Sequence, residues 1–241
     1  MIGCLCIHGF TGAPYEVEPL AEYLKQTTDW TVQSVTLPGH GEELQLKGIL
    51  YQEWIATAEL ELLSLYRTCD TIYLVGFSMG GMIASYLAAK YPVARLVLLS
   101  AAAKYVNPKQ MIQDTRQMVK ESLSGLIETN PLYDRYRHKL TSTPLSAAVE
   151  FMKLVKQTKG SLEKLHLPVL IVQGESDGIV PASSAEFIYH KIPSRQKEMF
   201  YLPDCKHHVC HEPCAQQLFE KVEQFLKKNN LIYRKAKMWL N

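Results

Sequence analysis

Two apolar patterns alternate along this chain, and that alternation limits its folding more than any other feature. Short runs rich in apolar and β-branched residues read as strands at Ile2 to Ile7, Trp30 to Leu37, Thr71 to Val75, Arg95 to Ser100, Pro168 to Gln173 and Lys197 to Leu202. Helical patterns lie between them at Pro14 to Gln26, Tyr51 to Tyr66, Met79 to Lys90, Pro181 to Lys191 and Glu212 to Lys228, several opening on a proline suited to a first helical turn. The strand runs end on Gly, Ser, Ala or Pro rather than on two-residue hairpin turns, which favours parallel strands with helical crossovers. The expected fold class is α/β, a doubly wound and mostly parallel sheet.

One connection is out of proportion. The fourth strand pattern ends near Ser100 and the fifth begins near Pro168, whereas a crossover needs only about a dozen residues. Met111, Ile112, Thr115, Met118 and Val119 fall on one helical face, and Phe151, Met152, Leu154 and Val155 mark a second amphipathic helix. The expectation is a small helical cap at 103–165, inserted after the fourth strand between two parts of one core, 1–102 and 166–241.

Composition narrows the partners. A chain of 241 residues, 47% hydrophobic and 21% charged, has the profile of a globular protein able to bury one large core. Lys and Arg number 26 against 24 Asp and Glu, a formal charge of +2, so no basic excess exists to track nucleic-acid phosphates. The first residues lack the basic flank and long apolar region of a signal peptide, and no apolar run approaches the roughly 18 residues of a membrane span. The chain therefore reads as cytoplasmic, with no stable membrane insertion. Its six cysteines are expected to be reduced thiols, Cys4 and Cys6 serving as small core side chains. Oligomeric state is not legible.

Gly76-Phe77-Ser78-Met79-Gly80 fits G-x-S-x-G, and its context gives it meaning: a strand pattern enters it and an Ala-rich helical pattern leaves it. A sharp elbow there projects the serine hydroxyl beyond the sheet edge. A hydroxyl is a poor nucleophile at neutral pH and needs a general base, an acid behind that base, and donors for the developing oxyanion. Catalytic groups belong on loops at the carboxyl ends of the strands. The fifth strand runs into Gly174-Glu175-Ser176-Asp177-Gly178, and the sixth into Pro203-Asp204-Cys205-Lys206-His207-His208-Val209. Ser, Asp and His thus follow in the order expected for a triad on such a sheet.

The Met79 amide, just after the serine and at a helix start, is one expected oxyanion donor. The second should come from the turn His8-Gly9-Phe10-Thr11-Gly12, which adjoins the elbow if the sheet order is 2-1-3-4-5-6; the Phe10 amide is the candidate. The two adjacent histidines compete for the base, and the physics of the residues alone does not choose between them. Asp204 rivals Asp177 but lies in the base's own loop. His40, in Pro38-Gly39-His40-Gly41, reads as a structural turn residue.

These blocks resemble the α/β-hydrolase superfamily, and within it the compact bacterial carboxylesterase and monoacylglycerol lipase group. The resemblance rests on His8-Gly9-Phe10-Thr11-Gly12, Leu37-Pro38-Gly39-His40-Gly41, Gly76 to Gly81, Gly174 to Pro181 and the His207-His208-Val209 region. It implies nucleophile Ser78, acid Asp177, base His208, and oxyanion amides on Phe10 and Met79. His208 is implied because family members place an apolar residue directly after the base, as Val209 follows it here. The departure is at the amino terminus, where relatives carry one or two further strands.

The expected activity is cleavage of a small-molecule carboxylic ester through an acyl-enzyme, without a cofactor. Met111 and Met118 of the cap either line the acyl pocket or simply pack the cap onto the body. A thioesterase using the same triad is an alternative, as is a catalytically silent receptor on a hydrolase fold. Cys205, His207, His208, Cys210, His211 and Cys214 have the residue types of a zinc site, but the spacing is wrong for paired ligands, so no metal is expected.

Overall fold

Successive residues of each central strand face opposite layers, and this alternation builds two cores from one sheet. A computed structural model describes residues 1–41, 43–104 and 143–228. The strands are β1 (Ile2–Ile7), β2 (Thr31–Val35), β3 (Thr71–Phe77), β4 (Arg95–Leu99), β5 (Val169–Gly174) and β6 (Lys197–Leu202). They pair in parallel throughout, in the order β2-β1-β3-β4-β5-β6. Strand order reverses beside β1, so a crevice opens between β1 and β3 at their carboxyl ends.

The described helices, numbered in chain order, are α1 (Glu18–Thr27), α2 (Tyr51–Tyr66), α3 (Met79–Lys90), α4 (Leu145–Thr158), α5 (Ala182–Lys191) and α6 (Ala215–Lys227). Cys4, Cys6, Val75, Phe77, Val97, Leu99, Leu170 and Val172 face the layer formed by α1 and α6. Leu5, Ile7, Leu74, Leu96, Leu98 and Ile171 face the layer that holds α2, α3, α4 and α5. Because both faces are covered, β3, β4 and β5 read as nearly continuous apolar runs rather than as alternating ones. The face of α6 that meets the sheet carries Leu218, Phe219, Val222, Phe225 and Leu226, the spacing of an amphipathic helix. Each large side chain so buried contributes about 2 kcal/mol.

Helix α4 belongs to the same packed layer as α2 and α3: Ala147, Ala148, Phe151, Leu154 and Val155 are buried in the main core. The amphipathic pattern around Phe151 therefore faces the body of the protein. The other expected cap helix, with Met111 and Met118, lies outside the described residues. The helical pattern at Pro14 to Gln26 is divided into a 3₁₀ turn at Pro14–Glu16 and the α-helix from Glu18, with Pro19 in its first turn. No helix among the described residues is long and apolar enough to cross a membrane.

Candidate active site

β3 delivers the chain to a sharp bend at Ser78, whose φ of 53° and ψ of −115° put a non-glycine residue in sparsely populated backbone space. Surrounding contacts hold it there. The Ser78 amide donates to the Leu99 carbonyl (2.8 Å), and its own carbonyl accepts from the amides of Gly81 (3.1 Å) and Ala102 (3.2 Å). A Cβ on Gly80 would overlap the carbonyl oxygens of Ile7 and His8, so the missing side chain lets the end of β1 press directly on the elbow. This contact brings the His8-Gly9-Phe10 turn beside the serine.

The loops after β5 and β6 supply the other two groups. Asp177 Oδ1 accepts from the amides of Ile179 and Val180, both at 2.9 Å, and Oδ2 accepts from Gln173 Nε2 at 3.0 Å. Oδ2 also meets His207 Nδ1 at 2.7 Å, and the opposite ring nitrogen, Nε2, lies 3.1 Å from Ser78 Oγ. Burial alone would raise the Asp177 pKa. The neighbouring His207 ring, its hydrogen bond and the two amides outweigh that, leaving the carboxyl below its ordinary value. An ionised carboxylate only accepts, so Nδ1 carries the ring proton and Nε2 accepts from the serine hydroxyl.

The geometry departs from the expectation drawn for His208: the His207 ring bridges Ser78 and Asp177, and His208 does not. The reason is loop register. The Glu175 amide donates to Leu202 O (3.0 Å) and the Ser176 amide to Cys205 O (2.9 Å), so the acid loop is stitched to the base loop at Cys205. Two residues on, it is the His207 ring that enters the buried space against Phe77, at 4.8 Å between ring centroids. His208 turns to the other side, its Nε2 3.4 Å from Glu16 Oε1.

Met79 opens α3, where the first-turn N–H groups have no carbonyl of their own helix to bond, and Phe10 lies in the turn after β1. Met79 directly follows Ser78, and Phe10 follows Gly9, where a Cβ would stand 3.2 Å from the Ser78 side chain. The Phe10 ring stacks on Phe151 (5.1 Å, 17° between planes) and lies 5.9 Å from Trp54, forming an aromatic wall. His40 is structural, its Nδ1 3.0 Å from the Pro38 carbonyl and its ring 5.4 Å from Trp54. Asp204 is exposed, at a positive φ of 57° in the turn.

The Cys/His cluster is dispersed. Cys205 and Cys214 are joined in a disulfide, contrary to the expectation of reduced thiols; their Cα atoms are 6.5 Å apart, within the span such a bond bridges. Cys4, Cys6, Cys69 and Cys210 are free and buried, and burial pushes the Cys210 thiol pKa well up. His211 Nε2 bonds the Tyr15 carbonyl at 2.7 Å. Among the described residues, no group of His, Cys, Asp or Glu is arranged to hold a metal ion.

Two participants escaped the sequence reading. Gln173, wholly buried at the end of β5, ties Asp177 to the Val180 carbonyl. Glu16, buried in the 3₁₀ turn, accepts a hydrogen bond from the Gly9 amide at 2.8 Å. A polar residue inside an apolar strand was a signal for the first; nothing local distinguished the second from a solvated helix residue.

Comparison with known proteins matches residues 3–214 to the family described as Serine aminopeptidase, S33. A thermostable monoacylglycerol lipase of Bacillus sp. (strain H-257) is 28% identical, covering 95% of this chain and 91% of that protein. A carboxylesterase of Bacillus subtilis (strain 168) is 21% identical, over 93% and 92%. Among solved structures, one from work on the metagenome-derived lipolytic enzymes LipS and LipT superposes with a TM-score of 0.77 at 23% identity, covering 95% of this chain and 94% of that one. The monoacylglycerol lipase of Paleococcus ferrophilus superposes with a TM-score of 0.70 at 17% identity, covering 93% of each chain. These superpositions identify the α/β-hydrolase fold.

Proposed function

Since the chain belongs to the serine aminopeptidase S33 family of α/β-hydrolases, we propose that it cleaves carboxylic esters by acyl transfer through Ser78, His207 and Asp177. Ser78 Oγ attacks the ester carbonyl carbon as His207 Nε2 takes its proton. Asp177 holds the imidazolium in orientation and offsets its charge. The carbonyl oxygen becomes an oxyanion facing the Phe10 and Met79 amides, each such donor contributing about 3 kcal/mol. Collapse expels the alcohol, which receives the proton from His207. Water, activated by the same ring, then releases the carboxylic acid and regenerates the serine.

The observation that carries this reading is the continuous relay from Ser78 Oγ (3.1 Å) through one imidazole to Asp177 (2.7 Å). The acyl group packs against the aromatic wall of Phe10, Trp54 and Phe151, consistent with relatives named as a monoacylglycerol lipase and a carboxylesterase.

The test is turnover of p-nitrophenyl esters of graded acyl length, beside monoacylglycerols, acyl thioesters and aminoacyl anilides, together with labelling by a fluorophosphonate. Ester turnover with labelling at Ser78 is expected. A preference for thioesters or anilides moves the substrate class, and a protein that neither turns over nor labels is a receptor rather than an enzyme.

A further inference from the structure

The oxyanion turn is held by a charge the triad does not use. We propose that Glu16 and His208 form a positioning pair that clamps the turn after β1 to the loop after β6, so that oxyanion donor and base move as one unit around Ser78. This inference rests on the esterase reading and adds two residues to it.

Glu16 is only 5% exposed, too buried for a solvated helix-start carboxylate. Gly12 makes its seat: a Cβ there would overlap the carboxylate, so no side chain competes for the space under the turn. Oε2 accepts the Gly9 amide at 2.8 Å, and Gly9 precedes Phe10, whose amide is the proposed oxyanion donor. The same turn is gripped from its other side. The Gly9 carbonyl accepts from the Gly12 amide (3.2 Å) and from His8 Nδ1 (2.8 Å), while His8 Nε2 accepts the Leu37 amide (3.1 Å). The Gly9 carbonyl and the Phe10 N–H share one planar peptide unit, so holding that carbonyl orients the Phe10 amide, and Glu16, by holding the Gly9 N–H, fixes the unit before it.

The second oxygen of the carboxylate, Oε1, faces His208 Nε2 at 3.4 Å. His208 is the immediate neighbour of the proposed base, and the two rings meet edge to face, 5.6 Å between centroids. Phe77 contacts both, at 4.8 and 5.5 Å. Glu16 thus touches one flank of the elbow through Gly9 and the other through His208. The break between Pro14–Glu16 and α1 allows this, because the 3₁₀ turn aims Glu16 inward before the helix begins. A misplacement of about 1 Å in a catalytic array costs on the order of a hundredfold in rate, so a clamp of this kind acts on kcat.

The test compares wild type with Glu16→Gln, Glu16→Ala, His208→Gln and the Glu16→Gln/His208→Gln double variant. It reads kcat and KM for p-nitrophenyl butyrate per site titrated by fluorophosphonate, and affinity for butylboronic acid as a tetrahedral mimic. Glu16→Ala is expected to lower kcat about a hundredfold, and Glu16→Gln and His208→Gln each about tenfold, with KM within about threefold of wild type. Boronate affinity should fall in step with kcat. The double variant should be no worse than about tenfold, because either single change opens the same clamp. A residue that only supports folding would lower the titrated fraction and leave kcat per site intact. Unchanged kcat per site in the Gln variants, or effects that multiply in the double variant, would overturn the pair. Should Glu16→Ala fail to fold, His208→Gln at its half-buried position carries the same decision. A wild type without ester turnover or labelling overturns the esterase reading, and the pair with it; an active wild type whose variants match it overturns the pair alone.

Discussion

The elbow at Ser78 and the loop after β6 meet at the Ser78–His207 hydrogen bond and at the Phe77 ring but are specified in different ways. Ser78 is fixed by sterics within a few residues and by strands that must pair: a positive φ, an amide bonded to Leu99, and a glycine at 80 against which only bare backbone fits. The base loop has no comparable local determinant. Which of two adjacent histidines reaches Ser78 depends on where the loop after β5 is stitched to Cys205, and on a partner for His208 nearly two hundred residues away in sequence, at Glu16. Local steric motifs announce themselves; loop register set by long-range hydrogen bonds does not.

That contrast can be broken at several points. The largest effect belongs to the elbow: Ser78→Ala should fold normally and lose about 10⁶-fold in kcat, measured on p-nitrophenyl butyrate. Asp177→Asn should cost about 10⁴-fold, because an amide in place of the carboxylate lets the His207 ring take the wrong tautomer. Gly80→Ala tests the steric account directly. It should destabilise the fold by about 1–3 kcal/mol in urea unfolding and lower activity, since the Ile7 and His8 carbonyls must retreat.

The smallest effect is a pH dependence. The Asp177 pKa is lower in the fold than in the unfolded chain, so its stabilising contribution is present above the unfolded value, about 3.9, and is lost as pH falls through the folded one. Thermal unfolding of wild type should therefore lose stability below about pH 4 more steeply than Asp177→Asn does. Equal slopes would mean that the carboxylate gains nothing from its partners.

The fold was largely legible because its signals are periodic. All six strand patterns correspond to observed strands, and the order 2-1-3-4-5-6, on which the placing of the His8 to Gly12 turn was conditional, is the one observed. Ends were less legible. The final helix begins at Ala215 rather than Glu212, after Pro213 and the bonded Cys214, and Pro19 divides the first helical pattern. In the candidate site, Ser78 and Asp177, which the structure joins through one imidazole, each follow a strand end where such a fold places its loops. The preference for His208 came from the apolar residue after it, a pattern blind to loop register. Glu16 was invisible because its role depends on empty space over Gly12 and on a loop distant in sequence.

The account turns on which imidazole serves Ser78. The rate of fluorophosphonate labelling, with ester turnover in parallel, should be compared between His207→Ala and His208→Ala. Labelling at Ser78 is predicted to become negligible in His207→Ala and to persist within about tenfold of wild type in His208→Ala. The reverse pattern, with His208 required and His207 dispensable, would contradict the geometry on which the mechanism stands.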